Sequence, residues 1–257
     1  MYALQNVNYL HNVVLMVVYV SVLFRLEDAL KNAMVDLSKR MSDIKEALDT
    51  SVDDESVSKN SLIEDKEKML DELLDLVESI DQAKDLSTIG GLSTLLGVIQ
   101  GGCPSLQWRA AEIIGTCAQN NPQVQLSFLQ GGVMAPLMEL LDSEDKMCRL
   151  KGLFAISCMI RGCSQAHAWF TERNGVTKMI ELMGSSEGHA RIVRKCLQIM
   201  DYAYKNSDKD HDELQQHAEH LVSVLTRIVK EEEDEDLRIM ALELCKAMGT
   251  TVVGSGN

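Results

Sequence analysis

Two apolar helical patterns, Trp108–Cys117 and Arg149–Ile160, carry small residues at Ala110 and Gly152, and these lie 42 positions apart. Between the patterns sit an Asn-Asn-Pro break at 120–122, a short amphipathic run and the pair Gly131-Gly132. The spacing continues in both directions. Gly90-Gly91 precedes the apolar run Leu92–Ile99, Gly131-Gly132 precedes Val133–Leu141, and Asn174-Gly175 precedes Val176–Met183. With Gly91, Gly132 and Gly175 as reference, the intervals are 41 and 43 residues; the long patterns follow with Ala110, Gly152, Cys196 and Ala241, at 42, 44 and 45. A small residue recurring at one register position lets neighbouring helices approach closely. Ala110 and Gly152 are therefore predicted at tight crossings.

Each period also holds a shorter helical stretch: Pro122–Leu129, with Asn121 as N-cap and proline in the first turn, then Ala166–Glu172 and Glu213–His220. A last unit lacks the turn glycine, and the acidic stretch Glu231–Asp236 separates Leu221–Val229 from Leu237–Met248. Terminal repeats commonly depart from the pattern because one face meets water. No stretch alternates with period two for long enough to make a sheet. The spacing predicts an all-α, right-handed solenoid of the armadillo or HEAT kind, of about four repeats over 62–248, with N-terminal capping helices. Aromatic residues are 4% of a chain that is 46% hydrophobic, so aliphatic residues must fill the core.

The N-terminal quarter reads differently. Residues 1–25 form an apolar leader in which Val13–Phe24, twelve residues long, falls short of the roughly 20 that span a bilayer. Residues 1–12 contain no Lys or Arg, which speaks against a secretory signal. Residues 26–61 read as a helix with Leu30, Met34, Leu37, Met41, Ile44 and Leu48 on one face, followed by an acidic linker. Ser61 and Glu64 have capping-box spacing ahead of Leu70, Leu73, Leu74, Val77 and Ile80. Residues 249–257 read as a flexible tail.

The net charge of −14 and a pI near 4.8 exclude the basic footprint that phosphate backbones require, so no nucleic acid is expected. Seven cysteines without a CxxC pair, five of them inside helical patterns, read as reduced apolar residues. Cys163/His167 and His217/His220 have metal-compatible spacing but no further ligands, so no metal is expected. His211-Asp212-Glu213-Leu214 spells a retention tetrapeptide away from the C-terminus, where such signals are read. No phosphate-cradling glycine loop or nucleophile elbow is present. Neither an enzyme nor a cofactor is expected.

The stretch WRAAEIIGTCAQNNPQVQ, followed at this spacing by LFAISCMIR, resembles the armadillo-type nucleotide-exchange factors of heat-shock protein 70, the heat-shock-protein-70-binding protein family. The resemblance runs from about Asp71 to Met248, and ELLDLVESIDQAKDLSTIGGL is similar to the family's entry into its first repeat. Leu26–Leu48 resembles the preceding helix more weakly. The resemblance implies a monomeric cytoplasmic co-chaperone that embraces one lobe of the chaperone's ATPase domain and lets ADP leave, with no covalent chemistry. It also implies a tryptophan-containing N-terminal motif for client release, and the apolar leader stands in that place here. Two alternatives remain: a luminal relative, if Val13–Phe24 acts as a signal, and an armadillo scaffold that binds extended peptides.

In an armadillo unit the third helix lines the inner curve. Counting from its small residue, positions −1, +2, +6 and +9 or +10 share one exposed face. These are Arg109, Glu112, Thr116 and Asn120 in the first unit, and Lys151, Phe154, Cys158 and Arg161 in the second. In the third they are Lys195, Gln198, Tyr202 and Lys205. Five are basic and one is acidic, which predicts a basic, partly apolar groove for an acidic protein surface, with Phe154 and Tyr202 as anchors. The simpler alternative is that long basic side chains solubilise the helices.

Overall fold

The computed structural model describes residues 22–23, 25, 37–49, 59–185, 190–206 and 217–250. Most of Val13–Phe24, the positions Leu30 and Met34, the 211–214 tetrapeptide and residues 251–257 lie outside them.

All regular structure among the described residues is helical. Helical residues 37–49 (α1) and Lys59–Leu76 (α2) precede three complete helix triplets. The first is α3 (Ile80–Thr88), α4 (Gly91–Gln100) and α5 (Pro104–Ala118); the second is α6 (Pro122–Gln130), α7 (Met134–Leu140) and α8 (Lys146–Ile160). The third is α9 (Ser164–Glu172), α10 (Gly175–Ser185) and α11 (Ala190–Asn206), and α12 (Ala218–Glu231) with α13 (Glu235–Ala247) follow. First helices pack on first helices, α3 on α6 on α9, and third on third, α5 on α8 on α11 on α13. At the N-terminal end α2 packs on α5, where a preceding third helix would lie.

The turn between first and second helices shows why the period is strict. Gly90, Gly132 and Asn174 all take left-handed backbone, with φ of 79°, 82° and 59°. Their spacing is 42 and 42, more regular than the 41 and 43 between Gly91, Gly132 and Gly175. The structurally equivalent residue is the one with positive φ, a conformation that glycine and asparagine tolerate best. The core repeats in the same register: Leu86, Phe128 and Phe170 are fully buried one period apart, as are Leu95, Leu137 and Met179.

The four small residues Ala110, Gly152, Cys196 and Ala241 are all buried. Gly152, however, faces its own repeat. A Cβ there would meet Leu141 Cδ2 at 3.1 Å and the Leu137 carbonyl at 3.5 Å, both from α7 or the turn after it. A close approach between successive third helices occurs at Gly115, which the small-residue spacing did not single out. A Cβ on Gly115 would lie 2.5 Å from the Phe154 ring and 3.1 Å from the Ala155 Cα of α8. Real Cβ atoms do not approach so closely, so glycine is what allows α5 and α8 to meet.

Three local details also differ from the sequence reading. Helix α2 already includes Lys59, so Ser61 lies inside its first turn rather than at the cap. Asn121 occupies the N-cap of α6 without capping it; its Nδ2 instead donates to the Ile80 carbonyl of α3 at 3.3 Å. His217 is the N-cap of α12 and residues 218–220 belong to that helix, whereas 213–216 lie outside the described residues.

Helix α1 is fastened to the solenoid. Met41, Ile44 and Leu48 are buried in the cluster that also holds the repeat core. Arg40 makes two hydrogen bonds of 2.7 Å to the Glu72 carboxylate on α2, and Lys66 donates to the Leu48 carbonyl at 3.1 Å. Thr94, buried on α4, donates to Asp49 at 2.9 Å.

Candidate functional site

The third helices differ in how their faces are used. In α8, six consecutive residues from Ala155 to Ile160 are buried, so its C-terminal half is enclosed all round. In α11 the buried set is Ile192, Val193, Cys196, Leu197, Ile199, Met200 and Ala203, one stripe at three- and four-residue spacing. The opposite stripe of α11 is free to line a surface. Where it stands off from α8, an open cavity of about 320 Å³ forms, lined by Glu112, Leu150, Lys151, Phe154, Arg191, Arg194, Lys195 and Gln198.

Five residues expected from sequence therefore meet at one place: Glu112, Lys151, Phe154, Lys195 and Gln198. Lys151 is ion-paired with Glu112 across α5 and α8. Lys195 Nζ stands 5.8 Å from the centre of the Phe154 ring, a cation–π geometry. Phe154 is itself fixed against Gly115 behind it.

The other expected residues are engaged elsewhere. Arg109 pairs with Asp71 at 2.7 Å and Glu67 at 3.6 Å on α2, and its guanidinium lies 4.2 Å from the centre of the Trp108 ring. Thr116 is half-buried and outside the cavity lining. Asn120 is the left-handed residue that closes α5, with φ of 53°, one period before Gly162 at 81°. Its role in that turn is conformational. Lys205 pairs with Asp201 one turn back, at 2.8 Å.

Arg161 and Tyr202 are used on each other. The Arg161 guanidinium lies 5.0 Å from the centre of the Tyr202 ring and donates to the Gln198 carbonyl at 3.1 Å. The Tyr202 hydroxyl accepts from the Gly162 N–H at 3.0 Å, and the His167 ring meets Tyr202 edge-on at 5.8 Å. Tyr202 thus ties α11 to the end of α8 and is not a free anchor. Cys158 is buried beside this cluster. Burial pushes its thiol up to about 11, against the opposing pull of Lys195 and Arg161, so it carries little thiolate near neutrality.

The expected count of five bases against one acid thus overstated the free positive charge. Arg109, Lys151 and Lys205 each have a carboxylate partner. Asp71 lies on another helix, outside the counted face, and Asp201 lies on the next stripe of α11. Sequence reading also missed Leu150, Arg191 and Arg194. On α11, residues 191, 194, 195 and 198 follow i, i+3, i+4, i+7 spacing, which would have revealed two of them had the face been extended one turn toward the N-terminus. Arg194 is held by Asp234 at 2.8 Å and Asp236 at 3.5 Å, from the start of α13.

Gln125 was missed as well. Buried on α6, it donates through Nε2 to the Cys158 carbonyl at 2.7 Å and the Arg161 carbonyl at 2.8 Å, closing the end of α8. A glutamine inside an amphipathic run gives no sequence signal of this task. His217 shares a 3.1 Å hydrogen bond with Thr177, and no group of three or more potential metal ligands occurs among the described residues. No helix among them is long and apolar enough to cross a membrane.

Stacked helix triplets with a third-helix ladder define an armadillo-type solenoid. A computationally designed armadillo repeat protein for modular peptide recognition superposes with a TM-score of 0.67 at 15% identity, covering 85% of this chain and 92% of that one. Residues 82–228, more than half of the chain, match the family model of the SIL1/FES1/HPBP1 C-terminal domain, and the chain belongs to that family. It is 35% identical over 122 residues to Hsp70-binding protein 1 of Rattus norvegicus, which is 47% of this chain and 34% of the relative. It is 30% identical over 171 residues to the Hsp70 nucleotide exchange factor FES1 of Scheffersomyces stipitis, 64% of this chain and 60% of the relative. The chain thus spans about a third of the mammalian relative's length.

Proposed function

We propose that this chain is a nucleotide-exchange factor for a chaperone of the heat-shock protein 70 class, acting as a co-chaperone on the ATPase domain. The observation that carries the reading is the family match over residues 82–228, which takes in α5, α8 and α11 and the whole cavity lining. Relatives similar to this chain over 122 and 171 residues are named for binding Hsp70 or exchanging its nucleotide.

The mechanism asks for no chemical step from the chain. A rigid third-helix face that binds the open form of the ATPase domain more tightly than the closed form shifts the population toward open, and ADP leaves faster. To shift an open-to-closed ratio from 1:99 to 99:1 the face must prefer the open form by about 10⁴-fold. By linkage, ADP must weaken the chain's own binding by the same factor that the chain weakens ADP binding. The contacts supporting this reading are the cavity between α8 and α11 and the polar surface beside it, with the protein acting as a monomer in the cytoplasm.

The test is release of labelled ADP from purified chaperone with and without the full chain. Accelerated release, with reciprocal weakening of the chain's binding by ADP, is expected. Binding of the ATPase domain with unchanged release would replace this reading with a peptide- or protein-binding armadillo scaffold.

A further inference from the structure

The cavity between α8 and α11 contains cations that have no carboxylate partner among the described residues. Two of its four cations are already satisfied: Lys151 by Glu112, and Arg194 by Asp234 and Asp236. Among the described residues, no carboxylate lies within salt-bridge distance of Lys195 or Arg191. Lys195 is half-buried and held over the Phe154 ring, while Leu150 and the stems of the lysines supply further apolar wall. At about 320 Å³ the cavity is at the small end for ligand sites, sized for one or two side chains.

These features set the chemistry of what can enter. A purely apolar side chain would cover Lys195 and strip its water without giving it a partner, which is costly. A phosphate favours guanidinium forks; of the two in the lining, Arg194 is already taken by two carboxylates and Arg191 is exposed, whereas the half-buried cation held against the aromatic wall is the ammonium of Lys195. A single ammonium over an aromatic ring suits one carboxylate with an apolar neighbour.

We propose that this cavity seats a carboxylate-bearing side chain of the partner together with an adjacent aliphatic or aromatic side chain, Lys195 taking the carboxylate and Phe154 with Leu150 receiving the neighbour. The partner's identity as the ATPase domain rests on the function proposed above; the chemistry of the cavity does not. The proposal singles out one spot on the third-helix face. It leaves Arg109, with its charge satisfied by α2, and Tyr202, tied to Gly162, outside the anchoring set.

The experiment uses the full chain and its variants Lys195→Met and Phe154→Ala, with Lys84→Met on α3 as control, each checked by thermal melting. Binding of the isolated ATPase domain is measured by calorimetry at low and physiological salt. Loss of a desolvated charge contact should weaken binding about tenfold or more in Lys195→Met and reduce its salt dependence, with Lys84→Met like the parent. Phe154→Ala should weaken binding similarly at both salt concentrations. In parallel, acetyl-Glu-Leu-amide and acetyl-Gln-Leu-amide are titrated by NMR, following the Phe154 ring. The parent should prefer the glutamate peptide, and Lys195→Met should lose that preference. If the parent binds the ATPase domain and Lys195→Met binds as tightly, the cavity proposal is overturned while the exchange function stands. If the parent does not bind the ATPase domain, the exchange function fails and the dipeptides decide alone: equal response to both overturns the cavity.

Discussion

The junction between α5 and α8 and the junction between α8 and α11 join the same kinds of helix, yet they are built from different materials. At the first, backbone meets backbone: Gly115 admits Phe154 and Ala155, and Ile113, Ile114, Leu153 and Ile156 are fully buried. The apposition is much closer than between α8 and α11. At the second, the ties beyond the apolar stripe are polar and lie at one end, Arg161 to the Gln198 carbonyl and the Gly162 N–H to Tyr202. The difference teaches how one repeat pattern yields both a rigid spine and a recess. Close packing at the first junction fixes Phe154, and the looser second junction leaves Phe154, Lys195 and Gln198 lining a cavity.

The strongest way to break the comparison is to remove what permits the first junction. Gly115→Leu should destabilise the protein by about 3 kcal/mol, at the upper end for overpacking, because its Cβ already meets ring and backbone atoms. Gly152→Ala should change stability by less than about 1 kcal/mol, since the clash is with the Leu141 side chain and the helix gains from losing a glycine. Chemical denaturation of both variants checks this. Equal effects would mean the two glycines do the same work and the α5–α8 junction is not special.

The end of α8, where the second junction is tied, should yield to smaller changes. Gln125→Leu leaves two carbonyls at the end of α8 without their donor, and should cost about 2 kcal/mol. Relief of the glutamine Oε1, which has no partner among the described residues, partly offsets this. Tyr202→Phe removes the acceptor of the Gly162 N–H and should cost about 1 kcal/mol or less, since that N–H is near solvent. Faster amide exchange confined to the ends of α8 and α11 would show that the tie is local. Loss of protection along α5 as well would show that the two junctions act as one.

The smallest effect sits at the N-terminal end. Burial works to raise the Asp49 pKa, yet hydrogen bonds from Lys45 and Thr94, with the charges of Lys45 and Lys66, carry it below the ordinary value. The hydrogen bond from Arg40 chiefly lowers that of Glu72. A folded-state pKa below the unfolded one gives stability that is complete above about pH 4 and is lost as pH falls through the folded value. Parent and Asp49→Asn should therefore differ by a few tenths of a kcal/mol at pH 6, the scale of exposed ion pairs, and draw together as the pH falls below about 4. Melts over a series from about pH 6 downward check it, and a difference that stays constant as the pH falls below about 4 would assign the effect to packing rather than charge.

Much of the fold was legible because solenoid repeats write their contacts locally. Each unit buries the same face, so Leu86, Phe128 and Phe170 recur at one interval, and the turn residues Gly90, Gly132 and Asn174 answer one backbone demand. Half of the candidate face was legible for the same reason: helical spacing alone placed Phe154, Lys195 and Gln198 on facing helices. Charge was not. A count along one face cannot see Asp71 on α2 meeting Arg109, or Asp234 meeting Arg194, because ion pairs form between segments about 40 residues apart.

The sequence by itself determined the period, the helical units and the apolar positions that recur in the core, since all of these follow from propensity and spacing within one unit. Only the tertiary structure decided which small residue bears the tight crossing, which cations remain unpaired and whether Tyr202 is a tie or an anchor. Those depend on the distance between successive helices. That distance is set by a single missing Cβ at Gly115 on one side of α8, and by the end-on ties of Arg161 and Tyr202 on the other.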